Sequence, residues 1–415
     1  MPPTPQTAQV DKTFFIPFRK ADLLQMCLHE WDLPAEEKKQ FTQFYQLLEN
    51  QFHLDFHQKL ESLKAAYAPL DPDADTRPLP EGLEEADKTG NLAQQLSEVL
   101  TKANYQALTE QDLAVAMEEA SLFKIRLQVD LHDFEEVVLY SRGESIREEQ
   151  LSSLFGLRKQ TIQFRNYDRV VLFLRFKSSD TDEKVNNAVT PGSVVLKLFQ
   201  NVPKADLEML FPNTRIRMRN SDKLMIGVPA IISGAVMAAT KLGATFVLLG
   251  ALFGYWLGLS DTEVTLNKTS VLALLASLGA VAGYIWKQIS SFKTRKVRFN
   301  QALTENLYFK NLDNNQGVFH RLIDDAEEEE CKEAMLAYAF LLQAGTPLTS
   351  AELDKNIEQW FSNRWQCELD FDIEDALNKL SDLQLIEFNN QCYTAKPLGE
   401  ALSVLDKKWD NYFSI

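Results

Sequence analysis

The sequence is poor in the residues that most often form cross-links or catalyse reactions. Its 415 residues include four cysteines and five histidines. Cys27, Cys331, Cys367 and Cys392 form no C-x-x-C pair, so neither a disulfide framework nor a cysteine-rich zinc site is indicated. We therefore expect four free thiols in a reducing compartment.

Motifs of the common enzyme classes are missing as well. The chain has no G-x-x-x-x-G-K-S/T, G-x-G-x-x-G, G-x-S-x-G or H-E-x-x-H pattern. No carboxylate precedes a histidine by three residues, which is the spacing used in di-iron helical bundles. These absences predict no cofactor and no metal, and they leave the chain without a candidate catalytic residue.

Two weaker patterns could hold a metal ion. His53 and His57 stand four residues apart, but no cysteine or third histidine lies nearby, so we interpret both as residues that flank an apolar stripe. An acidic run comprises Asp324, Asp325 and residues 327–330. Successive carboxylates on a helix point in different directions, so we expect this run to form a solvated helix face.

Positive charge is also scarce relative to negative charge. The formal net charge is −16, which argues against nucleic acid as a partner of the whole chain. The first ten residues have neither an apolar signal core nor an arginine-rich amphipathic character. No secretory or organellar targeting peptide is therefore expected.

Two long apolar stretches are the most informative feature that is present. They cover residues 224–259 and 269–286, and a polar loop at 260–268 separates them. Lys241 is the only charged residue inside either stretch. Because about 20 apolar residues cross a bilayer as a helix, the pattern predicts an integral membrane protein with a two-span helical hairpin in residues 224–288.

Basic residues flank both outer ends of this hairpin, and such flanks stay on the cytoplasmic side of a membrane. Both chain termini are therefore expected in the cytoplasm, with membrane lipid as a partner. The basic side chains expected at the membrane surface are Arg215, Arg217, Arg219, Lys223, Lys287, Lys293, Arg295, Lys296 and Arg298.

The first apolar stretch is longer than one crossing of a roughly 30 Å hydrocarbon core requires. Either a long tilted helix or a helix broken near Lys241 would fit. Small residues also recur at four-residue spacing, which permits close helix packing. They could pack the two spans against each other or support an oligomer, and the glycines concerned are Gly250, Gly254, Gly258, Gly279 and Gly283.

The remaining chain divides into soluble segments. Residues 1–68 predict an N-terminal helical region, in which 35–67 have the spacing of one long amphipathic helix. Residues 69–91 are an acidic, proline-rich linker. Residues 92–223 begin helically and then alternate with period two, which predicts an α/β cytoplasmic body. Its expected strands lie at 124–130, 136–141, 169–177, 194–199 and 214–219.

Residues 289–345 comprise a basic flank and an acidic helix, and residues 330–415 have the element order of a winged helix. Two further helices near 350–361 and 373–382, a hairpin around Asn389 and Asn390, and a final helix are predicted, with Asp372 as a helix cap. This segment carries 7 basic and 15 acidic residues, so a DNA backbone would repel it. We therefore expect a protein-contact module.

Two segments carry a resemblance to a known family. They are residues 202–212 with 215–218 (VPKADLEMLFP and RIRM), and residues 306–334, which begin NLYFKNLDNN and continue through the acidic helix. Over roughly residues 120–345 the chain resembles the transmembrane protein 143-like family. The signature residues are Pro203, Asp206, Leu207, Glu208, Pro212, Arg215, Tyr308, Asn311, Leu312, Lys332 and Glu333.

This resemblance implies a membrane protein of mitochondria, plastids or bacteria whose central domain has no assigned activity. It carries over no catalytic residue. Because the chain lacks the targeting peptide of the organellar members, the resemblance suggests a bacterial inner or internal membrane.

The fold class that follows is an α+β membrane protein with N-terminal helices, a mixed α/β body, a two-span transmembrane hairpin and a winged-helix-like C-terminal module. The favoured function is a membrane-anchored cytoplasmic interaction or scaffold protein that binds a protein partner or forms a homo-oligomer. One alternative is an oligomeric pore or transport component that uses Lys241. Another is an enzyme with an unrecognised site in the α/β body.

Overall fold

The computed structural model describes residues 12–31, 34–77, 92–109, 111–113, 126–153, 158–177, 192–217 and 307–412, with individual positions between 250 and 305. The contacts within the chain divide it into two compact units. The larger unit comprises Met1–Ala120, Asp130–Leu210 and Lys310–Ile415, and the smaller one comprises Ser121–Val129 and Phe211–Phe309.

Three helices form the N-terminal part of the larger unit. They are α1 (Lys20–Glu30), α2 (Ala35–Tyr67) and α3 (Leu92–Lys102). Helix α2 confirms the helix that the sequence predicts over 35–67. Its apolar side chains recur every three or four residues and form one buried stripe. The stripe consists of Phe41, Phe44, Leu48, Phe52, Phe56, Leu60, Leu63 and Tyr67.

A five-stranded antiparallel sheet belongs to the same unit. In spatial order its strands are β1 (Gln106–Ala107), β3 (Phe134–Ser153), β4 (Arg158–Phe176), β5 (Val194–Pro203) and β7 (Asn311–Asn314). Residues 170–174 of the central strand β4 are fully buried. Burial of both faces explains why this stretch is a continuous apolar run rather than an alternating one.

The hairpin of β3 and β4 is longer than the sequence predicts. Its pairing continues from Phe134 opposite Phe176 out to Ser153 opposite Arg158. β5 pairs with β4 no further out than Asn166, so the outer part of the hairpin is a two-stranded ribbon. A ribbon with two solvated faces needs no apolar alternation, which is why period-two analysis does not detect it.

The C-terminal part of the larger unit is helical apart from one hairpin. Its elements are α4 (Gln316–Ala344), α5 (Ser350–Trp365), α6 (Ile373–Asp382), β8 (Ile386–Asn389), β9 (Cys392–Ala395) and α7 (Leu398–Asn411). Thr349 and Glu352 form a capping box at the start of α5. The side chain of Asp372 accepts from the backbone N–H of Asp375, which confirms the predicted cap of α6.

The smaller unit contains a two-stranded antiparallel sheet and helical positions from residue 250 onward. β2 (Arg126–Gln128) pairs with β6 (Arg215–Arg217). Both strands fall within segments that the sequence predicts as strands. Large apolar side chains are exposed at several described helical positions, among them Trp256, Leu272 and Trp286.

The predicted transmembrane hairpin is wrong. In the part of the chain that the structure describes, no helix combines the length and the apolar character that a membrane crossing requires. The helical positions from Gly250 to Trp256 are followed by a turn, where Gly258 has a φ of +69° that is incompatible with a continuing helix. The assignments to an integral membrane protein and to a bacterial inner membrane with cytoplasmic termini are corrected with it. Residues 218–249, including Lys241, lie outside the described residues.

Replacing Gly143 with alanine should destabilise the larger unit by about 1–2 kcal/mol. This glycine lies where the ribbon leaves the sheet, its φ is +71°, and an added Cβ would lie 2.6 Å from Oδ2 of Asp168. The matched control is Gly399→Ala in α7, where an added Cβ would meet no atom within 4 Å. The control should be neutral or slightly stabilising, and equal effects in urea unfolding would contradict the strain assigned to Gly143.

Candidate functional site

Helix α4 carries the acidic run through the core of the larger unit. Its carboxylate residues are Asp324, Asp325, Glu327, Glu328, Glu329, Glu330 and Glu333. Glu329 is fully buried, and Glu330 and Glu333 are nearly so. The prediction of a solvated helix face is therefore wrong. Burying carboxylates is costly unless each finds a partner, and the elements around α4 supply those partners.

Glu329 and Lys332 form the most deeply buried ion pair of this cluster. Nζ of Lys332 donates to Oε1 of Glu329 over 2.7 Å, and also to the carbonyl oxygens of Ile16 and Phe18 at 2.8 and 3.2 Å. Oε2 of Glu329 accepts from the backbone N–H of Ile16 over 3.0 Å. The pair therefore binds the backbone of the segment before α1, and all three ammonium donors of Lys332 have acceptors.

Two arginines on the sheet form ion pairs with the same part of α4. Arg142 on β3 donates Nη2 to Oε1 of Glu329 over 2.7 Å, and its Nη1 lies 3.3 Å from Oδ2 of Asp325. Arg169 on the neighbouring strand β4 also donates to Asp325. The hydroxyl of Tyr105 donates to the same oxygen over 3.0 Å. Asp325 thus pairs with a cation from each of the two long strands and accepts a hydrogen bond from the segment between α3 and β1.

The N-terminal helices contact the neighbouring acids. Nζ of Lys20 on α1 lies 3.2 Å from Oε1 of Glu327 and 2.8 Å from Oε1 of Glu49 on α2. Burial acts to lower the pKa of Lys20, but the two carboxylates outweigh it and the net shift is upward. Nδ1 of His53 lies 2.9 Å from Oε2 of Glu327. His53, although largely exposed, therefore contributes to the cluster, and His57 four residues further on is exposed as well.

The last two acids connect α4 to α3 and α6. Nζ of Lys379 on α6 lies 3.0 Å from Oε2 of Glu330 and 2.7 Å from Oε2 of Glu333. Lys102 at the end of α3 pairs with Glu330 at 3.2 Å. Nδ2 of Asn104 donates to Oε1 of Glu333 over 2.8 Å. One ammonium group is thus shared by two buried carboxylates one turn apart.

Glu333 is the member of the cluster whose charge changes near neutral pH. Loss of hydration on burial raises the pKa of its carboxyl to about 7, although Lys379 and Asn104 favour the ionised form. Burial acts to lower the pKa of Lys379, but the carboxylates of Glu333, Glu330 and Asp375 outweigh it and the net shift is upward. The ammonium group therefore stays charged while Glu333 titrates.

This cluster is built to hold elements in place. Its cations come from α1, α3, the two long strands, α6 and α4 itself, so each pair connects a different element to the same helix. Across the described ranges, no group of three or more His, Cys, Asp or Glu side chains has a geometry that could hold a metal ion. The chemistry that the arrangement supports is charge pairing and, at Glu333, proton binding.

A cavity of about 360 Å³ opens beside Arg142, where the N-terminal segment meets β3 and β4. This volume is large enough for a small ligand. Its charged side chains are already engaged: Lys12 pairs with Glu358 at 3.1 Å, and Arg165 pairs with Glu144 at 3.0 Å. Arg142 itself is bound to the acids of α4. The charged side chains named here therefore line the cavity already engaged in ion pairs.

The outer surface of the C-terminal module is acidic and aromatic. Helix α6 exposes Glu374 and Asp382. Lys379, the only basic residue of α6, is 9% exposed and bound by three carboxylates. On the β8–β9 hairpin, Phe388 is 58% exposed and its ring centroid lies 4.6 Å from that of Tyr393.

The residues of the family signature occupy several separate places. Lys332 and Glu333 lie in the buried cluster, and Tyr308 is exposed in the smaller unit. Pro203 ends β5, and the 3-10 turn Lys204–Leu210 follows it. Within that turn Asp206 and Leu207 are buried and Glu208 is half-buried, and Pro212 just after it is exposed. Arg215 lies in β6, and Asn311 and Leu312 lie in β7.

Of the basic residues predicted at a membrane surface, three lie at described positions. Arg215 and Arg217 pair across β6 with Gln128 and Arg126 of β2, and Lys287 is exposed at a helical position. The remaining predicted charges lie outside the described residues: Arg219, Lys223, Lys241, Lys293, Arg295, Lys296 and Arg298.

The glycines expected to pack helices lie at described positions. A Cβ added at Gly250, Gly258, Gly279 or Gly283 would meet no atom within 4 Å, and Gly254 is half-buried. Their role in helix packing stays a prediction.

The acidic run is visible in the sequence, but its partners are not. Lys20 and Glu327 are 307 residues apart in the chain, and Arg142 and Glu329 are 187 apart. No local spacing can indicate a pairing over such distances. The available signal was the sequence of α4 itself, in which apolar residues occupy every side of the helix and leave no clear solvated face.

Comparison with known families matches residues 167–317 to the family described as "Protein of unknown function (DUF3754)". The match runs from β4 through the smaller unit to the start of α4, and it shows no link to the transmembrane protein 143-like family. No solved structure matches the chain. The comparisons therefore assign no activity to the cluster on α4 or to the C-terminal module.

Removing the ammonium group of Lys332 should strongly destabilise the larger unit. In Lys332→Met, Glu329 stays buried with one partner fewer, and breaking a buried pair typically costs about 3–5 kcal/mol of unfolding free energy. Lys64→Met is the matched control, because Lys64 and Glu61 form the same i,i+3 pair at 2.9 Å on the exposed side of α2. The control should cost less than about 1 kcal/mol in chemical denaturation. Similar losses for both variants would show that burial of the pair does not matter.

The stability of the chain should fall as Glu333 loses its proton. Its pKa is about 7 in the folded chain against 4.5 as the ordinary value, so the folded chain holds the additional proton between those values. The free energy of unfolding should therefore decrease as pH rises through this window, by at most about 1.4 kcal/mol per pH unit. Glu333→Gln should lose this dependence.

Glu352→Gln is the control for that experiment. The backbone N–H and the hydroxyl of Thr349 lower the pKa of Glu352, so its contribution has the opposite sign and is lost as pH falls. Unfolding profiles of parent and Glu333→Gln that stay parallel between pH 4.5 and 7 would contradict the shift assigned to Glu333.

Proposed function

We propose that the chain is an interaction or scaffold protein whose C-terminal winged-helix-like module binds a partner protein. The observation that carries this proposal is the surface of the module, where an acidic helix stands beside the exposed aromatic ring of Phe388. Exposed aromatic side chains within a polar surround are typical of protein contact sites.

The charge of α6 favours a protein over a nucleic acid as the partner. Binding to a phosphate backbone draws on free lysine and arginine side chains. Lys379, the one basic residue that α6 offers, is committed to Glu330, Glu333 and Asp375. The exposed groups that remain on α6 include Glu374 and Asp382, which would repel phosphates and attract a basic protein surface.

The body of the larger unit supports the module in two places. Lys379 connects α6 to α4, as described above. In addition, the backbone N–H of Thr13 donates to the carbonyl of Glu368 over 2.9 Å, and the N–H of Asp370 donates to the carbonyl of Thr13 over 2.9 Å. These contacts hold the segment before α6. A surface that is held in its binding conformation loses less entropy when it binds.

The other hypotheses receive less support. A pore that uses Lys241 depends on a hairpin that is wrong and on a residue outside the described ranges. An enzyme in the α/β body would have the cavity beside Arg142 as its natural site, but the charges there are used for ion pairing. The resemblance to the transmembrane protein 143-like family assigns no activity and so adds no mechanism.

A site-specific photo-crosslinker tests the proposed contact surface. Placed at Asn389, the exposed end of β8, it should capture a discrete partner protein, whereas the same probe at exposed Lys407 on α7 should not. With that partner purified, Phe388→Ser should weaken binding at least about fivefold, because buried aromatic anchors cost more than 1 kcal/mol when truncated. Lys407→Ser should leave affinity unchanged.

Two results would contradict the proposal. One is partner binding that Phe388→Ser leaves unchanged while the chain stays folded. The other is salt-sensitive binding to duplex DNA at physiological ionic strength, since that dependence is the signature of phosphate contacts.

A further inference from the structure

The outer part of the β3–β4 hairpin is a ribbon that extends beyond the sheet. Between Glu144 opposite Tyr167 and Ser153 opposite Arg158 the two strands pair with each other without a break. β1 contacts β3 only at Tyr140 and Ser141, inside the point where Gly143 bends the strand. Beyond Asn166, where the pairing of β4 with β5 ends, no other strand of the described chain pairs with the outer edge of β4, and beyond Ser141 none pairs with that of β3.

Such a ribbon leaves backbone groups without strand partners. An isolated pair of strands is marginally stable in water, and its unpaired N–H and C=O groups are a template for another strand. Natural edge strands are usually short or covered, whereas here no described strand covers ten residues of β3 (144–153) or eight residues of β4 (158–165). Ile146 is 53% exposed in this stretch. A further strand on either edge would satisfy the backbone and cover apolar surface.

The two strands of the ribbon carry opposite charge. The outer part of β3 contains Glu144, Glu148 and Glu149 with Arg147, a net negative stretch. The outer part of β4 contains the basic residues Arg158, Lys159 and Arg165 and no acid. Within one chain these charges already attract, because Nη1 of Arg165 lies 3.0 Å from Oε1 of Glu144. The acidic stretch of β3 in one chain would attract the basic stretch of β4 in a second chain in the same way.

We infer that the ribbon is a self-association arm, in which β3 of one chain pairs antiparallel with β4 of a second copy of the same chain. Pairing β3 with β3 would bring glutamates together, and pairing β4 with β4 would bring arginine and lysine together, so both are disfavoured. The unlike pairing brings the net negative stretch of β3 against the net positive stretch of β4.

The ribbon contact does not involve the C-terminal module and is separate from the partner binding proposed for it. Pairing of unlike edges is heterologous, so each added chain presents a new free edge, and the contact builds a ring or an open chain rather than a closed two-fold dimer. Assemblies larger than dimers should therefore form as concentration rises.

Charge-exchange variants of the full chain test this contact. Variant A carries Glu148→Lys and Glu149→Lys, and variant B carries Arg158→Glu and Lys159→Glu. Sedimentation velocity over a concentration series should show assembly by the parent and monomers for A and for B alone. An equimolar mixture of A and B should assemble again, because each strand then meets one of opposite charge.

A chain with all four substitutions controls for folding. It exchanges the charges of both strands and should assemble like the parent. A monomeric parent at every concentration would overturn the inference, as would assembly that persists in A and B, or a mixture of A and B that stays monomeric. Phe388→Ser should assemble normally, so loss of partner binding at the module and loss of self-association are separate outcomes.

Discussion

The fold of the larger unit depends on ion pairs between the buried carboxylates of α4 and basic side chains from the surrounding elements. Lys332 and Arg142 meet at Glu329, which has no exposed surface, and Lys379 serves Glu330 and Glu333 together. A buried charge without a partner costs several kcal/mol, so each of these contacts makes the others necessary. The strands, the N-terminal segment and the C-terminal module are positioned around one helix as a result.

Such a cluster contributes more to specificity than to stability. Apolar residues of similar volume could replace many buried ion pairs without loss of stability, but they would not prescribe which element meets which turn of α4. The hypothesis for this protein is that charge pairing selects the arrangement in which α6 presents its acidic face and β8–β9 presents Phe388. The raised pKa of Glu333 couples that arrangement to the proton concentration near neutrality.

Local patterns predicted the elements whose formation is decided locally. The apolar spacing of 35–67 matches α2, and the position of Asp372 matches the cap of α6. Local patterns also predicted strands near 136–141 and 169–177. They did not predict that β3 continues to Ser153 or that β4 begins as early as Arg158. The two apolar stretches led to a wrong hairpin, because composition measures how apolar a segment is and not where its helices end.

The sequence by itself determined the periodicity of α2, a strand within residues 169–177, the cap of α6 at Asp372 and the acidic character of α6. Each of these depends on residues within a few turns of one another. Only the tertiary structure decided that Glu327, Glu329, Glu330 and Glu333 of α4 are buried and not solvated. The same residues would suit either environment, and the choice depends on cations such as Lys20, which is 307 residues away from its partner Glu327. Burial of charge is decided by contacts between distant segments, and local sequence does not record them.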